Sequence, residues 1–189
     1  MTSPSSPSYR PIVVLGVSGS GKSTIGAALA AAIGATFIEG DDVHTADNKA
    51  KMAAGFPLDD TDREPWLDEI GESMAAELTA GRGVVVACSA LKRVYRDVLT
   101  AAAPGVVVVH LAGPLDLIAA RQRGRDHEYM PLSLLESQFA TLEQPGDDER
   151  HLDVDVSHTP DEIVRFIIAR LPAPAASTAA GDEAEMAPR

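Results

Sequence analysis

The sequence predicts an α/β fold in which a parallel sheet carries helices on both faces. Two observations support this. Five apolar runs, Ile12–Leu15, Thr36–Ile38, Val84–Cys88, Val106–Leu111 and Leu152–Val156, read as buried strands. Between them lie segments with the period of amphipathic helices, so the chain is built from repeated βα units, as a five-stranded sheet in a three-layer α/β/α arrangement requires. At 189 residues the chain has the length of one well-buried domain, with no internal repeat.

The first strand runs into Gly16-Val17-Ser18-Gly19-Ser20-Gly21-Lys22-Ser23, followed by Thr24 and a helix marked by Ile25, Leu29 and Ile33. Glycines let a strand-to-helix turn curl so that its N–H groups converge on phosphate oxygens, and the helix dipole favours the anion. This phosphate-binding loop predicts a nucleoside triphosphate ligand, ATP or GTP, held by Gly16, Ser18, Gly19, Ser20, Gly21, Lys22, Ser23 and Thr24. Lys22 adds a point charge at the β- and γ-phosphates, and Ser23 is the candidate ligand for Mg²⁺.

The second strand ends in Glu39-Gly40-Asp41-Asp42-Val43-His44, which puts carboxylates at the carboxyl end of a parallel strand, where such sheets bind ligands. Asp41 is the candidate base, because phosphoryl transfer needs a group that orients the attacking hydroxyl and accepts its proton. A helix is expected over Pro65–Ala80, with Trp66, Ile70, Met74 and Leu78 on one side and Gly81 as its stop. Ser89 is a candidate cap for a helix starting near Lys92, and Pro114–Arg121 forms the helix after the fourth strand. Two later helices start at capping boxes, Ser133 with Glu136 and Thr159 with Glu162, the second with Pro160 at its first position. Met1 to residue 10 and the Ala/Pro-rich stretch 173–189 read as disordered ends around an ordered domain of residues 11–172.

Composition narrows the partners. A formal net charge of −12 argues against nucleic acid, whose phosphate backbone calls for a basic face. No apolar run is long enough to span a bilayer, the start lacks a signal-peptide pattern, and Cys88 is the only cysteine, so a cytoplasmic enzyme is expected. Basic residues nevertheless gather near the motifs: Lys22, Lys49, Lys51, Arg63, Lys92, Arg93, Arg96, Arg121, Arg123 and Arg125. Clustered cations on an acidic protein can focus an anionic substrate into a cleft.

Three stretches are more specific than the phosphate loop. They are Asn48-Lys49-Ala50-Lys51-Met52 with Gly55 to Leu67, Cys88-Ser89-Ala90-Leu91-Lys92 with Tyr95-Arg96-Asp97, and Ser137-Gln138-Phe139-Ala140-Thr141-Leu142-Glu143. Together they closely resemble gluconate kinase of the thermoresistant gluconokinase type, from about Pro11 to Leu171. The resemblance implies a P-loop fold like that of nucleoside monophosphate kinases and shikimate kinase, with a substrate segment over about residues 41–80 and a mobile lid over about residues 121–133. It implies transfer of phosphate from ATP, with Mg²⁺, to D-gluconate, giving 6-phosphogluconate and ADP, by an enzyme that is commonly a homodimer. Asp41, His44, Lys51, Arg63 and Lys92 then become the substrate-binding set, with Arg63 and Lys92 as carboxylate partners. Lid arginines Arg121 and Arg125 would stabilise the transferring phosphoryl group, and Arg121 also lies near the expected nucleotide site.

The pattern departs from the family at the lid, where Glu128 takes the usual histidine position, Tyr129 the phenylalanine, and His127 falls one residue early. Glu39 stands where many relatives carry Asp. Two rival readings share the loop: a shikimate or nucleoside monophosphate kinase, and a catalytically silent module that binds ATP and regulates a partner.

Overall fold

The computed structural model describes residues 9–123 and 132–171. The lid expectations at Arg125, His127, Glu128 and Tyr129, most of the first expected disordered end and all of the second lie outside the described residues. The elements are β1 (Ile12–Leu15), α1 (Lys22–Ile33), β2 (Thr36–Glu39), a 3₁₀ turn (Gly40–Val43), α2 (Ala46–Ala53), α3 (Asp60–Thr79), β3 (Val84–Ala87), α4 (Arg93–Ala102), β4 (Val107–Ala112), α5 (Leu115–Arg123), α6 (Leu132–Thr141), β5 (His151–Asp155) and α7 (Pro160–Arg170).

All five strands are parallel, in the order β2-β3-β1-β4-β5. β1 and β3 are buried along their whole length, which explains their uninterrupted apolar sequences. α1 packs with α7, and α3 packs with α4. Because β1 connects past β3 to β2, whereas β2, β3, β4 and β5 follow in the opposite direction, right-handed crossovers put α1 on one face and α3 and α4 on the other; α7, which follows the last strand, lies with α1 by packing against it. The core between these layers includes Leu15, Leu29, Trp66, Ile70, Met74, Leu99, Ile118 and Ile167. Among the described residues, no helix is long and apolar enough to cross a membrane.

Helix starts are where the sequence expectations need correction. α3 begins at Asp60 rather than Pro65, because Asp59 and Asp62 form a reciprocal capping box. Pro65 then lies inside the helix, where it cannot donate to the Thr61 carbonyl. Thr61 and Pro65 are both exposed, so water can take that donor's place. The end of α3 matches expectation: Gly81 adopts φ 74°, and the Gly81 and Arg82 N–H groups close back on Leu78 and Glu77. Ser133 falls inside α6 rather than ahead of it, and Lys92, not Ser89, occupies the position before α4. The Thr159–Glu162 box is present as expected.

Candidate active site

The candidate groups descend from the carboxyl ends of β1, β2 and β3, which are neighbours in the sheet. Beyond β1, Gly19 and Gly21 take φ values of 80° and 99°, which L side chains rarely adopt. A Cβ on Gly16 would come within 2.6 Å of Ser20 Oγ and 3.1 Å of the Leu111 carbonyl oxygen, so the turn closes only on glycine. Ser20 N–H and the Lys22 ammonium both donate to the Val17 carbonyl, each at 3.2 Å, which draws the lysine back over the loop. Ser20 Oγ is buried and has no hydrogen-bond partner among the described residues. A buried hydroxyl left unpaired costs about 1–3 kcal/mol, a penalty that an anion seated in the loop relieves. The loop therefore suits a polyphosphate.

At the end of β2 the 3₁₀ turn exposes Asp41 and Asp42. Gly40 is required here, since a Cβ would lie 2.6 Å from the Ala87 carbonyl oxygen and 2.8 Å from Cys88 Cβ. Trp66 Nε1 donates to the Gly40 carbonyl at 2.6 Å, and the Trp66 ring stacks on His44 with centroids 4.4 Å apart. His44 is buried, its Nδ1 has no partner among the described residues, and its pKa is lowered, chiefly by burial, with Asp41 opposing and Arg63 and Lys49 assisting. Cys88, just beyond β3, is buried and its thiol is pushed up to about 12, mainly by burial, so it is no nucleophile at neutral pH. Lys22 acts on that thiol in the lowering direction, and Asp41 and Glu39 in the raising one.

A cavity of about 540 Å³ opens between the start of α3, the Ser89–Lys92 loop with the first turn of α4, and α6. Its charged wall is Asp59, Asp60, Arg63 and Lys92, with Tyr95 and Gln138; Asp59 is engaged in the cap of α3 and with Lys51. Asp60 Oδ1 accepts from Lys92 Nζ at 2.6 Å and from the Tyr95 hydroxyl. Lys92 first, then Tyr95, holds the Asp60 carboxyl below its ordinary pKa, while Asp60 raises that of Lys92. The Tyr95 phenol is raised by burial and by its bond to Asp60. Arg63 is different. Its guanidinium lies 5.7 Å from the Tyr95 ring centroid and 5.9 Å from that of Trp66, Nε donates to the Leu58 carbonyl, and no carboxylate among the described residues pairs with it. Among the described residues the cavity thus presents one cation without an ion-pair partner, Arg63, beside a lysine, two carboxylates and a phenol able to bond hydroxyl groups.

Comparison with known proteins agrees with this geometry. The family model described as AAA domain matches residues 12–145. A gluconokinase from Gluconobacter oxydans is 43% identical over 159 residues, covering 84% of this chain and 89% of the relative. The thermoresistant gluconokinase of Escherichia coli K12 is 38% identical over 157 residues, covering 82% and 90%. The crystal structure of a gluconokinase from Sinorhizobium meliloti 1021 superposes with a TM-score of 0.79 at 48% identity, covering 86% of this chain and 91% of that one.

The chain belongs to the gluconokinase family.

Within this gluconokinase fold the expected site residues separate into groups. Gly16 to Thr24 form the loop and the start of α1 as expected, and Arg63 and Lys92 line the cavity. Lys51 does not line it. Its ammonium pairs with Asp62 and, at 3.5 Å, with Asp59, which fastens α2 to the cap of α3. The Asp62 carboxyl is correspondingly held low and the Lys51 ammonium high. His44 and Asp41 sit at the strand end beside the cavity wall rather than among its lining residues. Arg121 Nη2 donates to the Val156 carbonyl at 2.6 Å, which ties the end of α5 to the end of β5.

Arg96, counted among the site cations from sequence, is instead a buried staple. It forms a two-pronged pair with Glu149 at 2.6 and 2.9 Å and donates to the carbonyls of Ala90, Leu91 and Glu143. Asp60 and Tyr95 were missed as cavity groups because their pairing spans 35 residues, and no local pattern reports it. Gln138 stands in the sequence only within the family pattern, yet its Oε1 accepts the Ser18 N–H at 2.6 Å while its side chain lines the cavity.

Proposed function

We propose that this gluconokinase-family chain transfers the γ-phosphoryl group of ATP to the 6-hydroxyl of D-gluconate, giving 6-phospho-D-gluconate and ADP. One observation carries the reading: Gln138 joins the phosphate loop to a cavity holding an unmatched Arg63, so a triphosphate and a small anionic polyol would meet across a shared wall. Lys22 and the loop amides hold the β- and γ-phosphates, with Ser23 positioned at the start of α1 to ligand Mg²⁺. When bound, the ion offsets phosphate charge during transfer. Arg63 anchors the acceptor carboxylate, and Lys92, Asp60 and Tyr95 meet its hydroxyls. Asp41 orients the primary hydroxyl and takes its proton. Arg121 and Arg125 complete the charge compensation from the lid, over about residues 121–133, that closes on the ordered domain. The same reading makes the enzyme a cytoplasmic homodimer, which its single buried cysteine suits as regards compartment.

The test is ADP release measured with D-gluconate, shikimate and AMP as acceptors. Turnover is expected with gluconate alone. Activity on AMP or shikimate with none on gluconate overturns the acceptor assignment, and tight ATP binding without turnover of any acceptor points to the silent module. With gluconate, Asp41→Asn is expected to lower kcat by about a hundredfold or more while leaving ATP affinity unchanged. Near wild-type turnover removes Asp41 from its role.

A further inference from the structure

The two helices that flank residues 124–131 both reach the phosphate loop through a glutamine. From α5, Gln122 packs so closely on Gly19 that a Cβ there would lie 2.5 Å from Gln122 Cγ. From α6, Gln138 Oε1 accepts the Ser18 N–H at 2.6 Å across 120 residues of sequence. The chemistry of that contact fixes which way the Gln138 amide faces: a backbone N–H needs an acceptor, so the oxygen points at the loop and the NH₂ group points away from it. Nε2 makes no hydrogen bond among the described residues, although Gln138 lines the acceptor cavity. One planar group therefore has its oxygen committed to the loop and two donors left over at the cavity wall.

We infer that Gln138 is an acceptor-binding and loop-positioning residue, whose Nε2 donates to a hydroxyl of the sugar acid while Oε1 holds Ser18 in the phosphate loop. Its rigid amide sets the distance between the attacking end of the acceptor and the loop that carries the triphosphate. Such alignment matters because a displacement of about 1 Å can cost on the order of a hundredfold in rate. Arg63 anchors the charged end of the substrate, and Gln138 registers the reacting end. The inference rests on the reading of the acceptor as a sugar acid such as gluconate.

The test compares wild type, Gln138→Ala and Gln138→Glu, measuring kcat and KM for gluconate, the ratio of phosphorylated acid formed to ADP released, affinity for a non-hydrolysable ATP analogue, and Tm. Gln138→Ala is expected to lower kcat/KM for gluconate by about a hundredfold and to drop the product-to-ADP ratio below one, as water replaces a misaligned hydroxyl. Tm should stay close to wild type, and analogue affinity should fall by much less than kcat/KM, by the share that Oε1 contributes through Ser18. Gln138→Glu keeps an acceptor for Ser18 but replaces the donor by a carboxylate that also repels the anionic acceptor, so kcat/KM should fall at least as far as in Gln138→Ala while the product-to-ADP ratio stays near one. Wild-type kcat/KM in both variants overturns the inference, and so does a loss of Tm and analogue affinity that accounts for the whole fall in rate. If wild type ignores gluconate but phosphorylates another acceptor, the functional reading falls and the same comparison is run with that acceptor.

Discussion

Arg63 and Lys92 are both cations on the cavity wall, but they differ in what they have left to offer a substrate. Lys92 is already neutralised by Asp60, whereas Arg63 is braced between two aromatic rings with no carboxylate partner among the described residues. A hydrogen bond to a charged group contributes about 1.5–3 kcal/mol, so Arg63→Ala should raise KM for gluconate by roughly ten- to a hundredfold. Arg63→Lys should recover only part of this, because an ammonium lacks the planar fork that meets a carboxylate at two points and stacks on rings. Lys92→Ala should also weaken binding, for a second reason: it leaves the Asp60 carboxylate facing an anionic substrate. Removing that charge as well, in Asp60→Asn/Lys92→Ala, should restore part of the affinity, and the double-mutant cycle on KM measures how much. Equal effects of the two single alanine variants with no recovery in the double variant would show that the Asp60–Lys92 pair does not set the cavity's charge.

Between residue and fold stand the elements, and the loop that carries Ser89 and Lys92 depends on one buried side chain. Arg96 is almost wholly buried and holds that loop by two carbonyls, while its pair with Glu149 ties α4 to the turn before β5. Removing one member of a buried pair leaves the other uncompensated, which costs about 3–5 kcal/mol. Arg96→Ala should therefore be strongly destabilised in denaturant unfolding at neutral pH. The pH dependence has a definite sign. Arg96 holds the Glu149 carboxyl below its ordinary range, so the pair's contribution is complete above that range and is lost as pH falls through the lowered folded value. The gap between wild type and Arg96→Ala should thus narrow in acid, and a gap independent of pH would assign the effect to the carbonyl bonds alone. Arg96 also marks how far the elements were readable from sequence. Strands, the phosphate loop and the Thr159 cap are written in local patterns of apolarity, glycine and capping residues. The start of α3 was hidden because Pro65 imitates a first-turn proline, while the true cap uses Asp62 where Glu or Gln is the usual signal. Pairings such as Arg96 with Glu149, Asp60 with Tyr95 and Gln138 with Ser18 join distant segments, and nothing in the neighbourhood of either partner announces them.

On the scale of the whole molecule, an acidic protein is asked to admit two anions. The net charge of −12 acts from a distance, while Arg63, Lys22 and Lys92 act at contact. In water, one charge about 20 Å away repels an anion by roughly 0.2 kcal/mol, so twelve amount to about 2.5 kcal/mol before screening. A contact of about 4 Å with a half-buried cation is worth roughly 4 kcal/mol at an effective dielectric constant near 20. Salt separates these contributions. The screening length falls from about 30 Å at 0.01 M to about 8 Å at 0.15 M, which removes most of the distant repulsion and leaves contact pairs nearly intact. Near 1 M it is about 3 Å, short enough to weaken the contacts themselves. KM for gluconate, measured at saturating ATP and fixed magnesium, should therefore fall several-fold between about 0.01 and 0.15 M ionic strength and rise again toward about 1 M. Arg63→Ala should keep the fall and lose much of the rise, since only the rise belongs to the cavity. A KM that climbs steadily from the lowest salt would mean that local cations outweigh the molecule's overall charge at every distance, and that its acidity has no part in substrate capture.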